Sequence, residues 1–378
     1  MSNNKKMKRE IVLRGSCQTN SDMFYFTGVA VPDPFYAFTL RGKKCALAGA
    51  LELGRLRDSG RLDEVFDLSL LSEKFAKGTR LDDTGVLIHI LKKSKIKAIV
   101  VSADFPALQL EKLRGAGFDV AVSEKPLFPE RDIKNNFEMR EIAKANAIAS
   151  LGFARIENIL RESKIVGRKI VWRDKVLTSE ILRYEVEKTA LSKGADALYT
   201  IVAGGNQACN PHEVGHGAIA PNSLIVADIF PRLRSTGYFG DMTRTFLKGE
   251  PTSAQSRLVE TVIKAQKLAL SKVSDGVNGS VIHNAVDDFF ADNGYFTEFK
   301  KGAWGGFFHS TGHGVGLDIH EKVSISPRKC ILKAGNVVTV EPGLYYRGIG
   351  GCRIEDTVAV EKNGMRKLSK YHYNWVIK

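Results

Sequence analysis

The sequence predicts an α+β protein in two domains, a smaller mixed α/β domain over residues 1–130 and a larger one over 131–378. Length is the first reason, since 378 residues suffice for two well-buried cores. The second is KPLFPERD at 125–132, where two prolines interrupt regular structure. The third is a change of pattern: beyond that break, long helical periodicities give way to short, glycine-punctuated apolar runs of strand character.

In chain order, FYAFTL (35–40) and IKAIVVS (96–102) read as strands. Between strands, ALQLEKLRGAG (107–117) has helical spacing and ends at glycines suited to a C-cap. No glycine-rich phosphate loop and no ligand cluster is visible here, so this domain is expected to shape, cover or dimerise a site built elsewhere. Residues 136–163 form one long amphipathic helix pattern, and Thr178 can cap a second helix. Strand-like LYTIVAGG (198–205), SLIVADIF (223–230) and GYFGDMTRTFL (237–247) follow, then helices over roughly 253–274 and 279–293. The segments WGGFFHSTGHGVGLDIHE, NVVTVEPGLYY and GCRIEDTVAVE are strand and turn in character, and aromatic YHYNWVIK closes the chain.

Composition narrows the function classes. With 43% hydrophobic and 26% charged residues the chain reads as a soluble globular protein. No apolar run approaches the roughly 18 to 20 residues of a membrane span. The basic start MSNNKKMKRE leads into no apolar signal core, which gives a cytoplasmic expectation. Five scattered cysteines with no CxxC pair indicate neither a disulfide framework nor a zinc ribbon, and Cys352 is expected to be a buried, inert thiol. The net charge of +14 invites a nucleic-acid partner. Its densest runs, KKMKR (5–9) and KKSKIK (92–97), lack interleaved aromatics, so no nucleic acid is expected.

The chemistry lies in four acids and a histidine of the C-terminal third. Asp228 and Asp241 sit in apolar strands separated by turn-rich PRLRSTG, so a hairpin can bring them together. In NVVTVEPG, period-two alternation puts Glu341 on one face with Val337 and Thr339. In CRIEDTVAV, Glu355 shares a face with Arg353 and Thr357. The connecting PGLYYRGIGG reads as turn, so these two strands are expected to pair antiparallel with Glu341 meeting Glu355. Three histidines, His309, His313 and His320, fall in a glycine-rich stretch that excludes a helical pairing and permits close approach of chain and ligand. Buried carboxylates need a facing cation. An oxygen-rich donor set with one nitrogen suits two divalent ions, manganese first, with cobalt, iron or zinc as alternatives. Two such ions about 3.5 Å apart lower the pKa of a shared water and make it a nucleophile.

The order Asp, Asp, His, Glu, Glu, with DMTRT, GHGVG, VEPG and RIED around them, resembles the pita-bread metallopeptidases, which include methionine aminopeptidase, aminopeptidase P and prolidase. The resemblance spans about residues 134–365, and NSDMFYFTGVAVPDPF (20–35) is similar to the creatinase-type accessory domain that aminopeptidase P and prolidase carry. It implies a pita-bread catalytic domain behind an α/β creatinase-like domain. It further implies Asp228, Asp241, His313, Glu341 and Glu355 as metal ligands, with Asp241 and Glu355 bridging and Glu341 also shuttling a proton. By the same resemblance His320 steadies the tetrahedral intermediate and His212 lines the opposite wall. His309 and Arg353 match positions linked with proline-directed members. His216 matches no role.

Two departures bear on specificity. The gap from Asp228 to Asp241 is thirteen positions, longer than the family's usual spacing, and adds Arg232 and Arg234 to the hairpin. Fourteen residues before Glu341, where prolidases tend to carry an arginine, stands Pro327, with Arg328 beside it. The resulting expectation is a homodimeric aminopeptidase that hydrolyses the first bond of short Xaa-Pro peptides, with prolidase as the alternative and a non-catalytic binding module as a third class.

Overall fold

Asn135 starts the longest helix of the computed structural model, which describes residues 9–75, 81–300 and 302–378. Its side chain accepts from the backbone N–H groups of Phe137 and Glu138, and the Glu138 carboxylate reaches back to the Asn135 N–H. This reciprocal cap satisfies otherwise orphaned donors and sets where Asn136–Glu162 begins. The chain divides into two compact units, Met1–Pro129 and Glu130–Lys378.

In the first unit a six-stranded mixed sheet runs Glu64–Asp67, Lys43–Ala48, Phe35–Leu40, Glu10–Gly15, Ala98–Ser102, Asp119–Ser123. Alternation along its strands sends Val12, Tyr36 and Phe38 to one apolar cluster and Leu13, Phe35 and Ala37 to another, so both faces are covered. The helix expected over 107–117 is Ala107–Gly115. Of KKMKR and MSNNKKMKRE, residues 1–8 lie outside the described residues; Arg9 pairs with Asp119 at 2.6 Å.

In the second unit Asn136–Glu162 packs against Ser179–Ser192, which Thr178 caps through the Ile181 N–H. Both cover a four-stranded sheet ordered Ile201–Gly204, Leu224–Ile229, Met242–Lys248, Val376–Ile377. A second helix pair, Ser253–Lys272 and Gly279–Asp292, covers a five-stranded sheet ordered Glu321–Ile325, Gly312–Gly314, Val337–Val340, Asp356–Glu361, Gly364–Lys367. Among the described residues no helix is long and apolar enough to cross a membrane. The five cysteines are free, and burial pushes the Cys352 thiol up to about 12.

Three segments depart from expectation. PGLYYRGIGG is not a turn: Gly343–Tyr346 pairs antiparallel with Gly350–Arg353, because Leu344 and Tyr345 are both fully buried. CRIEDTVAV is two strands rather than one. It leaves the Gly343–Tyr346 partner at Ile354–Glu355 and resumes at Asp356 against Val337–Val340, so Glu355 sits where the chain changes sheets. Residues 164–176, unassigned from sequence, form a three-stranded meander.

One buried network ties the closing segment to the strand bearing Asp241. The Arg244 guanidinium, 2% exposed, donates to Asp356 at 2.8 Å and to the carbonyls of Thr243, Glu355, Tyr371 and His372. Lys367, Tyr373, Gln266 and Ser369 also bond Asp356, and although burial raises its carboxyl, the cationic neighbours Arg244 and Lys367 hold it below the usual range. Removing one member of a buried pair leaves an uncompensated charge. Arg244→Met is therefore expected to cost about 3 kcal/mol, read by urea denaturation; a loss under about 1 kcal/mol would show that the network is not holding the strand.

Candidate active site

The hairpin between the two aspartates forms in the expected sense. Leu224–Ile229 pairs antiparallel with Met242–Lys248, placing Asp228 opposite Thr243, with Asp241 just ahead of the second strand. Gly240 allows this entry: a β-carbon there would lie 2.5 Å from the Asn146 nitrogen of the long helix. Asn146 in turn accepts the Asp241 N–H at 2.8 Å. The longer connection does not hang free, since Arg232–Leu233 pairs with Ala195–Asp196 and Arg234 forms an exposed ion pair with Asp196.

Glu341 directly follows Val337–Val340, and that strand's last pair is Val340 with Asp356, so the antiparallel register brings Glu341 and Glu355 to neighbouring positions. His313 lies on Gly312–Gly314 in the same sheet. Its Nε2 is 3.5 Å from Asp241 and 3.4 Å from Glu341. Asp241, His313 and Glu355 each offer a donor atom within 4.8 Å of the others, and no second such group occurs among the described residues. The His313 Nδ1–H donates to the Gly314 carbonyl at 3.1 Å, which leaves Nε2 unprotonated toward the acids. Burial holds this imidazole below its ordinary pKa.

Glu355 and Glu341 are each aimed by a threonine to which sequence reasoning gave no role. Thr243 donates to Glu355 at 2.7 Å and accepts from Arg353 at 3.2 Å. Thr339 accepts the His313 N–H and donates to Glu341. The signal was present in sequence as a threonine two positions from an acid on the same strand face, but nothing there named the partner. Arg353 is 3% exposed, and its nitrogens donate to Thr243, to the Tyr345 hydroxyl at 2.9 Å and to Asp228 at 2.6 Å. The Tyr345 hydroxyl in turn donates to His309 Nε2 at 2.9 Å, while His309 Nδ1–H donates to the Ser310 carbonyl. Tyr345 was hidden in the segment read as turn.

Electrostatically the cluster is unfinished. Burial first, then the neighbouring Glu355, Asp228 and Glu341 charges, raise the Asp241 carboxyl well above its ordinary value. Glu355 is raised by burial and by Glu341 and Asp228. Burial carries Glu341 up to about 7 although Arg353 opposes it. Four carboxylates face a single guanidinium, and one oxygen of Asp228, Oδ1, is buried with no hydrogen-bond partner among the described residues. A buried anionic oxygen with no donor is costly, so the donor set fits cations.

The remaining sequence candidates line the approach. His320 is exposed, with its ring edge-on to His313 at 4.2 Å. Burial, then the Arg353 charge, lowers His309 to about 3, and burial, then His313, lowers His320; the exposed His212 adds a smaller push to both. His216 stays in a local turn, 3.5 Å from Glu213. Pro327 and Arg328 are exposed.

Residues 140–362 match the model of metallopeptidase family M24. The chain is 30% identical over 276 residues to an Xaa-Pro dipeptidase of Pyrococcus horikoshii, covering 69% of this chain and 74% of that one. It is 34% identical over 248 residues to an Xaa-Pro dipeptidase of Pyrococcus furiosus, covering 64% of each. Among solved structures, the prolidase of Pyrococcus horikoshii superposes with a TM-score of 0.79 at 25% identity, covering 97% and 95% of the two chains. The X-Pro aminopeptidase of Thermotoga maritima superposes at 0.81 and 23% identity, covering 98% and 97%, a likeness of fold.

Proposed function

The chain belongs to metallopeptidase family M24, with that family's pita-bread α+β fold, and from this premise we propose that it hydrolyses Xaa-Pro bonds in short peptides. Within that class we infer a dipeptidase first. The relatives at 30% and 34% identity are Xaa-Pro dipeptidases, which outweighs the aminopeptidase expected from sequence. The aminopeptidase reading keeps one observation in its favour: Pro327 occupies the place where a carboxylate-holding arginine is expected, and the adjacent Arg328 is exposed.

The observation that carries the proposal is the donor group of Asp241, His313 and Glu355 within 4.8 Å of one another, with Glu341 3.4 Å from the His313 Nε2 and one Asp228 oxygen buried without a hydrogen-bond partner. Asp228, Asp241, His313, Glu341 and Glu355 would hold two divalent ions, manganese first by donor type, with cobalt, iron or zinc as alternatives. When bound, these supply Lewis acidity and lower the pKa of a water. Glu341 is assigned the proton transfer, taking the proton at a carboxylate oxygen and delivering it to the leaving nitrogen. His320 donates to the oxyanion that develops on the scissile carbonyl, and His212 lines the opposite side. His309 meets the substrate, oriented by Tyr345, and Arg353 braces both Tyr345 and Asp228.

Residues 1–130 are assigned as the creatinase-like accessory domain and 131–378 as the catalytic domain of a homodimer, with a short peptide as partner and the cytoplasm as its place of action. Comparing Ala-Pro with Ala-Pro-Ala as substrates tests the specificity: the dipeptide is expected to be cleaved at least tenfold more efficiently, about 1.4 kcal/mol in transition-state terms. Preference for the tripeptide would restore the aminopeptidase reading, and cleavage of neither would remove the peptidase assignment.

A further inference from the structure

The loop from His313 to His320 is held from beneath by a buried ionic cluster that the chemistry above does not use. At its centre is Glu321, whose side chain is 6% exposed. One carboxylate oxygen accepts from Arg131 at 2.8 Å and from the Leu317 N–H at 3.2 Å, and the other accepts from Lys134 at 2.6 Å. The Lys134 side chain is 2% exposed. Arg131 also bonds Asp318 at 2.8 Å. Both cations come from the short segment that precedes the long helix, and Lys134 is anchored there by its N–H to the Gly335 carbonyl.

The loop is shaped around this carboxylate. A β-carbon on Gly316 would lie 2.5 Å from the Glu321 carboxylate, so a side chain there would push the acid from its place across the turn. The Gly316 carbonyl accepts the Phe239 N–H at 2.8 Å, which joins the loop to the segment delivering Asp241. Gly314 pairs with Glu321 across a register shift, so the clamp is one residue from His313 on one side and adjoins His320 on the other.

We propose that Glu321, gripped by Arg131 and Lys134, is a positioning residue that fixes the imidazole of His320 over the reacting carbonyl. A buried carboxylate held by two cations resists displacement because each charge left alone is costly. An exposed histidine on a glycine-rich loop has no comparable restraint of its own. The inference rests on the peptidase reading for its consequence in turnover, though not for the geometry it predicts.

The test uses the full chain loaded with Mn²⁺ and Ala-Pro as substrate. Glu321→Gln is expected to lower kcat about 10- to 100-fold, the cost of misplacing a working group by about an ångström, with KM within about threefold and metal content per chain unchanged. Combining it with His320→Ala should be no worse than His320→Ala alone; independent, multiplying losses would overturn the proposal. Should Glu321→Gln unfold the chain by stranding Lys134, Glu321→Gln with Lys134→Met removes both charges and should fold while keeping the kcat loss. Wild-type kcat in that folded double variant would overturn it. If the wild type cleaves no Xaa-Pro peptide, the function fails separately, and the geometry is read from ¹⁵N-histidine NMR spectra of the chain loaded with diamagnetic Zn²⁺. His320 signals should shift or broaden in Glu321→Gln while those of His283 stay in place, and unmoved His320 signals would sink the proposal.

Discussion

Glu341→Gln is expected to lower kcat on an Xaa-Pro dipeptide by about 10²- to 10⁴-fold, the range lost when a general acid–base is removed. Glutamine keeps the size of the side chain and its contact with Thr339, which lies 3.2 Å from Glu341, so the strand should be undisturbed. What is lost is a carboxylate oxygen that can take a proton and release it, at a side chain that would also help to hold an ion. Metal content measured on the same sample separates a lost ligand from a lost proton carrier. A variant with more than a tenth of the parent kcat would remove Glu341 from the chemistry.

The second large effect concerns stability. In protein stripped with a chelator, Tm should fall as pH rises from about 6.5 to 8, and Mn²⁺ should abolish that slope. The sign follows from proton binding. Asp241, Glu341 and Glu355 are all raised in the folded chain, so the folded state holds more protons on these acids; the lowered His283, His309, His313 and His320 oppose this only below their ordinary 6.5, so the sign is read above it. Stability is then fully present below the unfolded pKa and is lost as pH rises through the folded one. For Glu341 alone, a rise from 4.5 to about 7 corresponds to on the order of 3 kcal/mol. Cations that bind only the ionised, folded cluster replace the missing protons and add stability by mass action. A flat profile in the chelated protein would mean that these acids are neutralised by something other than a metal.

Much of this was legible in the residues. The helix from Asn136 declares itself through its cap and its periodicity, and the turn-rich stretch between Asp228 and Asp241 announces a hairpin. The faces of Val337–Val340 and of the strand after Glu355 follow from alternation, and their antiparallel pairing forms as expected although the segment between them is not the turn it was read as. Illegible were features that depend on a partner far along the chain. Glycines around 343–351 mimic a turn, yet Tyr345 is fully buried there and links Arg353 to His309. Arg244 looks like an ordinary strand residue until Asp356, 112 positions later, meets it in the interior. The meander over 164–176 is short and basic, so its periodicity is too brief to declare a sheet. Sequence pattern shows which face a side chain occupies, but not whom it faces.

The contacts of Arg244 have a mechanical consequence. Two of its acceptors, the carbonyls of Tyr371 and His372, lie in the segment that leads into Val376–Ile377, the outer strand beside Leu247–Lys248. Fraying at that sheet edge would pull on the guanidinium and, through it, on the strand that follows Asp241, so a disturbance at the rim is felt in the donor cluster.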